Sequence, residues 1–116
     1  MAGFEMPDMD QEMLAELQDI MGADFATLVD SWRRDTHNRI TAIEQALETG
    51  DASALRQTAH SLKGSSSNLG ARCVVSVCIE LEKLANLKDL AGAAAQLDAL
   101  RQAVDSAEQE LLRLAS

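Results

Sequence analysis

The sequence of 116 residues has no tyrosine, and its aromatics are limited to Phe4, Phe25 and Trp32. β-Branched residues are sparse, and the only proline is Pro7. Strands draw on β-branched and aromatic side chains, so this shortage excludes a β-rich fold. No apolar run approaches the roughly 20 residues needed to cross a bilayer. Positive charge is scarce as well: 10 Lys and Arg stand against 19 Asp and Glu, a formal net charge of −9. Such a surface repels phosphate backbones and anionic lipid, which excludes nucleic acid and membranes as partners. Cysteine appears only at 73 and 78. That spacing turns the two thiols roughly 140° apart on a helix. They read as small buried hydrophobes of a reducing compartment, not as a disulfide or a zinc pair. Glu-x-x-His, which di-iron and di-manganese bundles require, does not occur.

What is abundant is Ala, Leu, Glu, Gln and Arg, the residues that lose least on entering a helix. The expectation is an all-α protein of one domain, since a chain of this length holds a single core. Pro7-Asp8 opens the first helical pattern, with Asp8 as N-cap and apolar positions at Met9, Met13, Leu14, Leu17, Ile20 and Met21. A second run carries Phe25, Leu28, Val29, Trp32, Ile40, Ile43 and Leu47 and ends at Gly50. Asp51 caps a third, with Leu55, Ala59, Leu62 and Leu69, ending at Gly70. The fourth has Val74, Val75, Cys78, Leu81 and Ala85. The fifth follows "NLKD" with Leu97, Leu100, Val104, Ala107, Leu111 and Leu114. Short connections force successive helices to run antiparallel. The fold expected is an antiparallel up-down four-helix bundle with an additional short N-terminal helix across one end. Residues 1–7 are expected to be a flexible N-terminus, and residues 8–116 the bundle domain. "MAGFEMPDMD" lacks the basic and apolar regions of a signal peptide, so a cytoplasmic protein is expected.

One stretch does not fit an ordinary helix. In "TAHSLKGSSSNLGA" the third helix carries His60, Lys63 and Gly64 in mid-run. Laid around the stripe of Leu55, Ala59, Leu62 and Leu69, His60 points roughly 140° from the stripe centre and Gly64 roughly 180°. Ser67 and Arg56 share the side of His60, and Lys63 lies at its edge. An outward glycine costs the helix about 1 kcal/mol relative to Ala and serves no packing in the core. It clears the approach to the imidazole. An exposed nucleophile, local positive charge and open access suit a transferring phosphoryl group. The turn near Ala71 brings a residue eleven before it level with one eleven after it. Those residues are His60 and Glu82. A carboxylate in the apolar sector of the fourth helix is positioned to accept from Nδ1–H and leave Nε2 as nucleophile. His37, in "DTHNRI", reads as a solvated flank residue.

"AHSLKGSSSNLGA" resembles the signature of histidine-containing phosphotransfer (HPt) domains, His-x-x-Lys-Gly followed by small residues and a Leu-Gly stop. His60, Lys63, Gly64, Leu69 and Gly70 match it. The resemblance extends to the "D…L…W…D" second helix, the "GDASALRQTAH" lead-in and the Ala-rich last helix. It implies a phosphorelay intermediate with His60 as phosphoacceptor, Lys63 steadying the phosphoryl oxygens and Gly64 giving steric access. Glu82, often Gln in this family, would orient the ring from behind. Arg56, Gln57, Ser67 and Asn68 would meet the partner. The implied partners are receiver domains of hybrid sensor kinases and of response regulators. The domain would act as a monomer with no cofactor of its own and no ATP-dependent kinase activity, the receiver supplying Mg²⁺. The alternative is a helical adaptor that binds receiver-like or other partners without phosphotransfer.

Overall fold

The computed structural model describes residues 9–116, and these form six helices. They are α1 (Gln11–Met21), α2 (Asp24–Thr49), α3 (Ala52–Ser67), α4 (Arg72–Asn86), α5 (Leu90–Ala94) and α6 (Leu97–Ala115). The long helices α2, α3, α4 and α6 make the four-helix bundle, each packed on its neighbours. Their inward stripes supply the core: Phe25, Val29, Trp32 and Ile43 from α2, Leu55, Ala59 and Leu62 from α3. Val74, Cys78 and Leu81 of α4 meet Leu100, Val104, Ala107 and Leu111 of α6. These side chains are almost wholly removed from water, at about 1.5–3 kcal/mol for each large aliphatic one. The Trp32 indole N–H donates to the buried Ser66 hydroxyl at 3.1 Å, so the one large aromatic at this contact leaves no orphan donor.

The expected Pro7-Asp8 start and the loose residues 1–7 lie outside the described residues. The cap of α1 is Asp10, whose Oδ1 accepts from the Met13 amide at 3.2 Å. The helix lies across the end of the bundle that holds the α3–α4 turn and the last turn of α6. Asp10 N–H donates to the Gly70 carbonyl at 2.8 Å, its carboxylate pairs with Arg72 at 3.2 Å, and the Gln18 amide reaches the Leu114 carbonyl at 2.9 Å. Gly70 is required twice over here. Its φ is +66°, and a Cβ would stand 2.9 Å from that of Asp10.

Two boundaries differ from expectation. Helix α3 stops at Ser67, three residues ahead of Gly70, because the chain already tightens through i−3 bonds from Leu69 and Gly70 to Ser66 and Ser67. The fifth helical run is split. Asp89 caps a short α5 through the Gly92 amide at 2.9 Å, and α5 packs on α4 and α2 at the other end of the bundle. The chain then turns at Ala95 and Gln96, with Gln96 N–H bonded back to Ala93, before α6 descends.

Candidate functional site

The α3–α4 hairpin brings His60 and Glu82 level, as their equal separation from Ala71 predicts. His60 Nδ1 lies 3.2 Å from Glu82 Oε2, and Lys63 Nζ lies 2.7 Å from Oε1 of the same carboxylate. Glu82 thus bridges the imidazole and the ammonium with one oxygen each. Burial differs sharply across the group: the His60 side chain is 66% exposed and that of Glu82 only 18%. The ring stands in solvent on a carboxylate sunk between helices.

Burial alone would raise the Glu82 carboxyl. Hydrogen bonds and charge from Lys63 and His60 outweigh it and hold the group below the usual carboxylate range. Glu82 is therefore an anion, and an anion can only accept. Nδ1 must carry the ring proton, which leaves the lone pair on Nε2. One turn back on α4, burial pushes the Cys78 thiol up to about 12, with the Glu82 charge adding to the effect and Lys63 opposing it. Cys78 is an inert core residue. Cys73 is half-buried, and its thiol donates to the Ala103 carbonyl at 3.4 Å.

Gly64 is exposed, and a Cβ built on it meets nothing within 4 Å. Packing inside the domain gives no reason for a glycine there. Arg56, Gln57, Ser67 and Asn68 are all exposed around it, on the surface that carries His60. Two features of the surroundings were not read from the sequence. The first is a groove of about 500 Å³ beside Ser67, lined by Met13, Val75 and Ile79 together with Asp10 and Arg72. Ile79 is half exposed. Its signal was the spacing of Val75, Ile79 and Glu82 along one face of α4, offset from the core stripe of Val74, Cys78, Leu81 and Ala85.

The second concerns His37, which is solvent-exposed as expected but also has a partner on another helix. Its Nε2 lies 2.8 Å from Glu108 Oε2, and Arg33 Nε reaches the same oxygen at 3.2 Å. Glu108 is buried on α6. A carboxylate four residues from Val104 and three from Leu111, inside an apolar stripe, is the same signal that singled out Glu82. Among the described residues, no group of three or more His, Cys, Asp or Glu side chains is placed to hold a metal ion. None of the described helices is long and apolar enough to cross a membrane.

An exposed imidazole on a sunken carboxylate, a lysine beside it and a cleared approach on a helical hairpin are the arrangement expected of a phosphoryl carrier. The family model described as the Hpt domain matches residues 27–110, and the chain belongs to the histidine-containing phosphotransfer domain family, whose members relay phosphoryl groups between receiver domains. The chain is also similar to a solved structure, that of histidine-containing phosphotransfer protein B (HptB) from Pseudomonas aeruginosa PAO1. The two share 34% identity over 96% of each chain, with a TM-score of 0.89. No curated protein sequence matches significantly.

Proposed function

We propose that His60 is the phosphoacceptor. It takes the phosphoryl group from an aspartyl phosphate on the receiver of a hybrid sensor kinase and passes it to the receiver aspartate of a response regulator. The observation that supports this reading most is the Nδ1 contact to Glu82, because it leaves a lone pair on the outward nitrogen. The Nε2 lone pair attacks phosphorus, the P–O bond to the donor aspartate breaks, and its electron pair returns to the carboxylate. The imidazole gains positive charge in that step, and the anionic Glu82 behind Nδ1–H offsets it. Onward transfer is the same sequence in reverse.

Lys63 and Gly64 serve the arriving group. Lys63 is held by Glu82 beside the ring, within one turn of the place where phosphoryl oxygens gather, and can be shared between the two anions. Gly64 leaves the neighbouring surface bare for the receiver, which brings the acidic pocket and the Mg²⁺. Arg56, Gln57, Ser67 and Asn68 frame the contact. The Val75–Ile79–Met13 groove offers the receiver an apolar area beside the polar centre, as the buried middle of an interface requires. On this reading residues 8–116 act as one unit, a cytoplasmic monomer.

The test is incubation with phosphorylated receivers of the same genome. Label should appear as an acid-labile, alkali-stable phosphoramidate confined to His60. His60→Gln should abolish it while the melting curve stays unchanged, since an exposed side chain adds little to the core. Receiver-derived label persisting in that variant would overturn the assignment. A helical adaptor without phosphate chemistry would bind receivers and take no label at all.

A further inference from the structure

We propose that His37 is a second phosphoacceptor, which takes a phosphoryl group on Nδ1 from small donors of the phosphoramidate or acyl phosphate class and not from a receiver. The contact between α2 and α6 repeats the chemistry of the α3–α4 hairpin. At each place an exposed imidazole rests on a sunken carboxylate that a cation also holds. The His37 side chain is 59% exposed and that of Glu108 only 12%. Glu108 Oε2 lies 2.8 Å from His37 Nε2 and 3.2 Å from Arg33 Nε. Lys63 has the corresponding place beside Glu82.

The nitrogen is the other one. A carboxylate paired with Arg33 accepts and does not donate, so Nε2 carries the ring proton and the lone pair falls on Nδ1. His37 also lines a cleft of about 450 Å³ with Asp30, Arg33, Arg34 and Asn38. Arg33 is taken up by Glu108 and, at 3.8 Å, by Asp30. The side chains of Arg34 and Asn38 have no hydrogen-bond or ion-pair partner among the described residues. A guanidinium fork and an amide are thus available on the wall that carries the imidazole, and such groups bind phosphoryl oxygens.

Access decides the size of the donor. Gly64 stands one turn beyond His60, but Thr41 stands one turn beyond His37 and Arg33 one turn before it. Thr41 is fixed there, its hydroxyl donating to the His37 carbonyl at 3.2 Å. Nδ1 is moreover the ring nitrogen nearer the backbone. A folded receiver is kept away, whereas a molecule of phosphate size is not. In the reaction with phosphoramidate the Nδ1 lone pair forms the new P–N bond. The donor's P–N bond breaks, and its electron pair leaves with ammonia. The ring becomes cationic and Glu108 compensates that charge until the Nε2 proton passes to solvent.

The probe is phosphoramidate on the full-length protein in the His60→Gln background, with the product read by ³¹P NMR and mass spectrometry. Label is expected on His37 as the Nδ1 isomer. Adding Glu108→Gln should lower its rate about tenfold, the equivalent of one pKa unit of lost charge stabilisation. With His60 intact, the rate of labelling there serves as the check that the Glu108 variant is folded. Should that variant unfold, the surface change Arg34→Gln decides instead, with a several-fold slower rate supporting the proposal. No label on His37, label at Nε2, or rates unchanged in the deciding variant would each overturn it.

Discussion

Gly64 separates access from stability. A Cβ at this position meets nothing within 4 Å, and its backbone is in the ordinary helical run of α3. Gly64→Ala therefore adds no clash and removes unfolded-state freedom, which should stabilise the domain by up to about 1 kcal/mol. For a chain of this length that is a rise in Tm of about 3–5 °C. Gly64→Gln should be close to neutral or better, because Gln is also a good helix former and stays in solvent. The effect on transfer runs the other way. Phosphorus must come within about 3–3.5 Å of Nε2, and a misplacement of about 1 Å costs on the order of 100-fold. A Gln one turn from the ring occupies the space a receiver needs and should impose at least that loss. Phosphoramidate needs far less room and should label His60 in the Gln variant within about threefold of the wild-type rate. The assay is the pair of rates, receiver against small donor, with Tm measured on the same preparations. Equal loss with both donors would show that Gly64 shapes the site itself. No loss with either would refute steric access altogether.

Three further outcomes follow from the same geometry. Lys63→Ala should slow transfer from a receiver by about 10- to 100-fold without abolishing it, since electrostatic assistance goes and the nucleophile stays; complete loss in a stopped-flow assay would mean that Lys63 does more than steady charge. Gly70→Ala should destabilise the domain by about 2 kcal/mol or more through its positive φ and the clash with Asp10, read as a lower urea midpoint, and transfer by the folded fraction should persist. Glu82 has a folded pKa below its unfolded value of 4.5, so its contribution is complete above pH 4.5 and disappears as pH falls through the folded pKa. Glu82→Gln should therefore lower Tm at pH 7, and the gap should close in acid; a gap that stays constant down to pH 3 would remove the ion pair from the stability balance.

The all-α class, the bundle and the His60–Glu82 pairing were legible in the sequence because each rests on a local rule. Apolar residues at threes and fours define the stripes, and a tight turn makes equal distances along two helices equal heights. The break between α5 and α6 obeys no such rule. Leu90, Ala93, Leu97, Leu100 and Val104 keep helical spacing straight through Ala95 and Gln96, so periodicity reports one helix where there are two. What separates them is tertiary: Asp89 caps α5 and sets it against the ends of α2 and α4, and α6 must then turn to run down the bundle.

His37 was hidden for a different reason. Its partner is 71 residues away, and no hairpin arithmetic links α2 to α6 across three intervening helices. Only Glu108 could have pointed to it, as a carboxylate standing in an apolar stripe. Glu82 made the same statement on α4, and there a histidine lay within reach of a turn that could be counted. A buried carboxylate in a stripe demands a cation or a donor from some other helix, since an unpaired one costs several kcal/mol. Helices α2 and α3 offer five cations, Arg33, Arg34, Arg39, Arg56 and Lys63, and His37 and His60 are the only imidazoles of the sequence. Both sunken carboxylates take one of each: Glu82 takes Lys63 and His60, and Glu108 takes Arg33 and His37. The cation pairs with the carboxylate, and a carboxylate so paired accepts from the imidazole and in turn fixes which of its nitrogens is free. The groups that make burial of the charge tolerable are thus the ones that give each histidine its proposed chemistry, and the two sites differ in which ring nitrogen faces the carboxylate and in whether a glycine or a threonine stands one turn on.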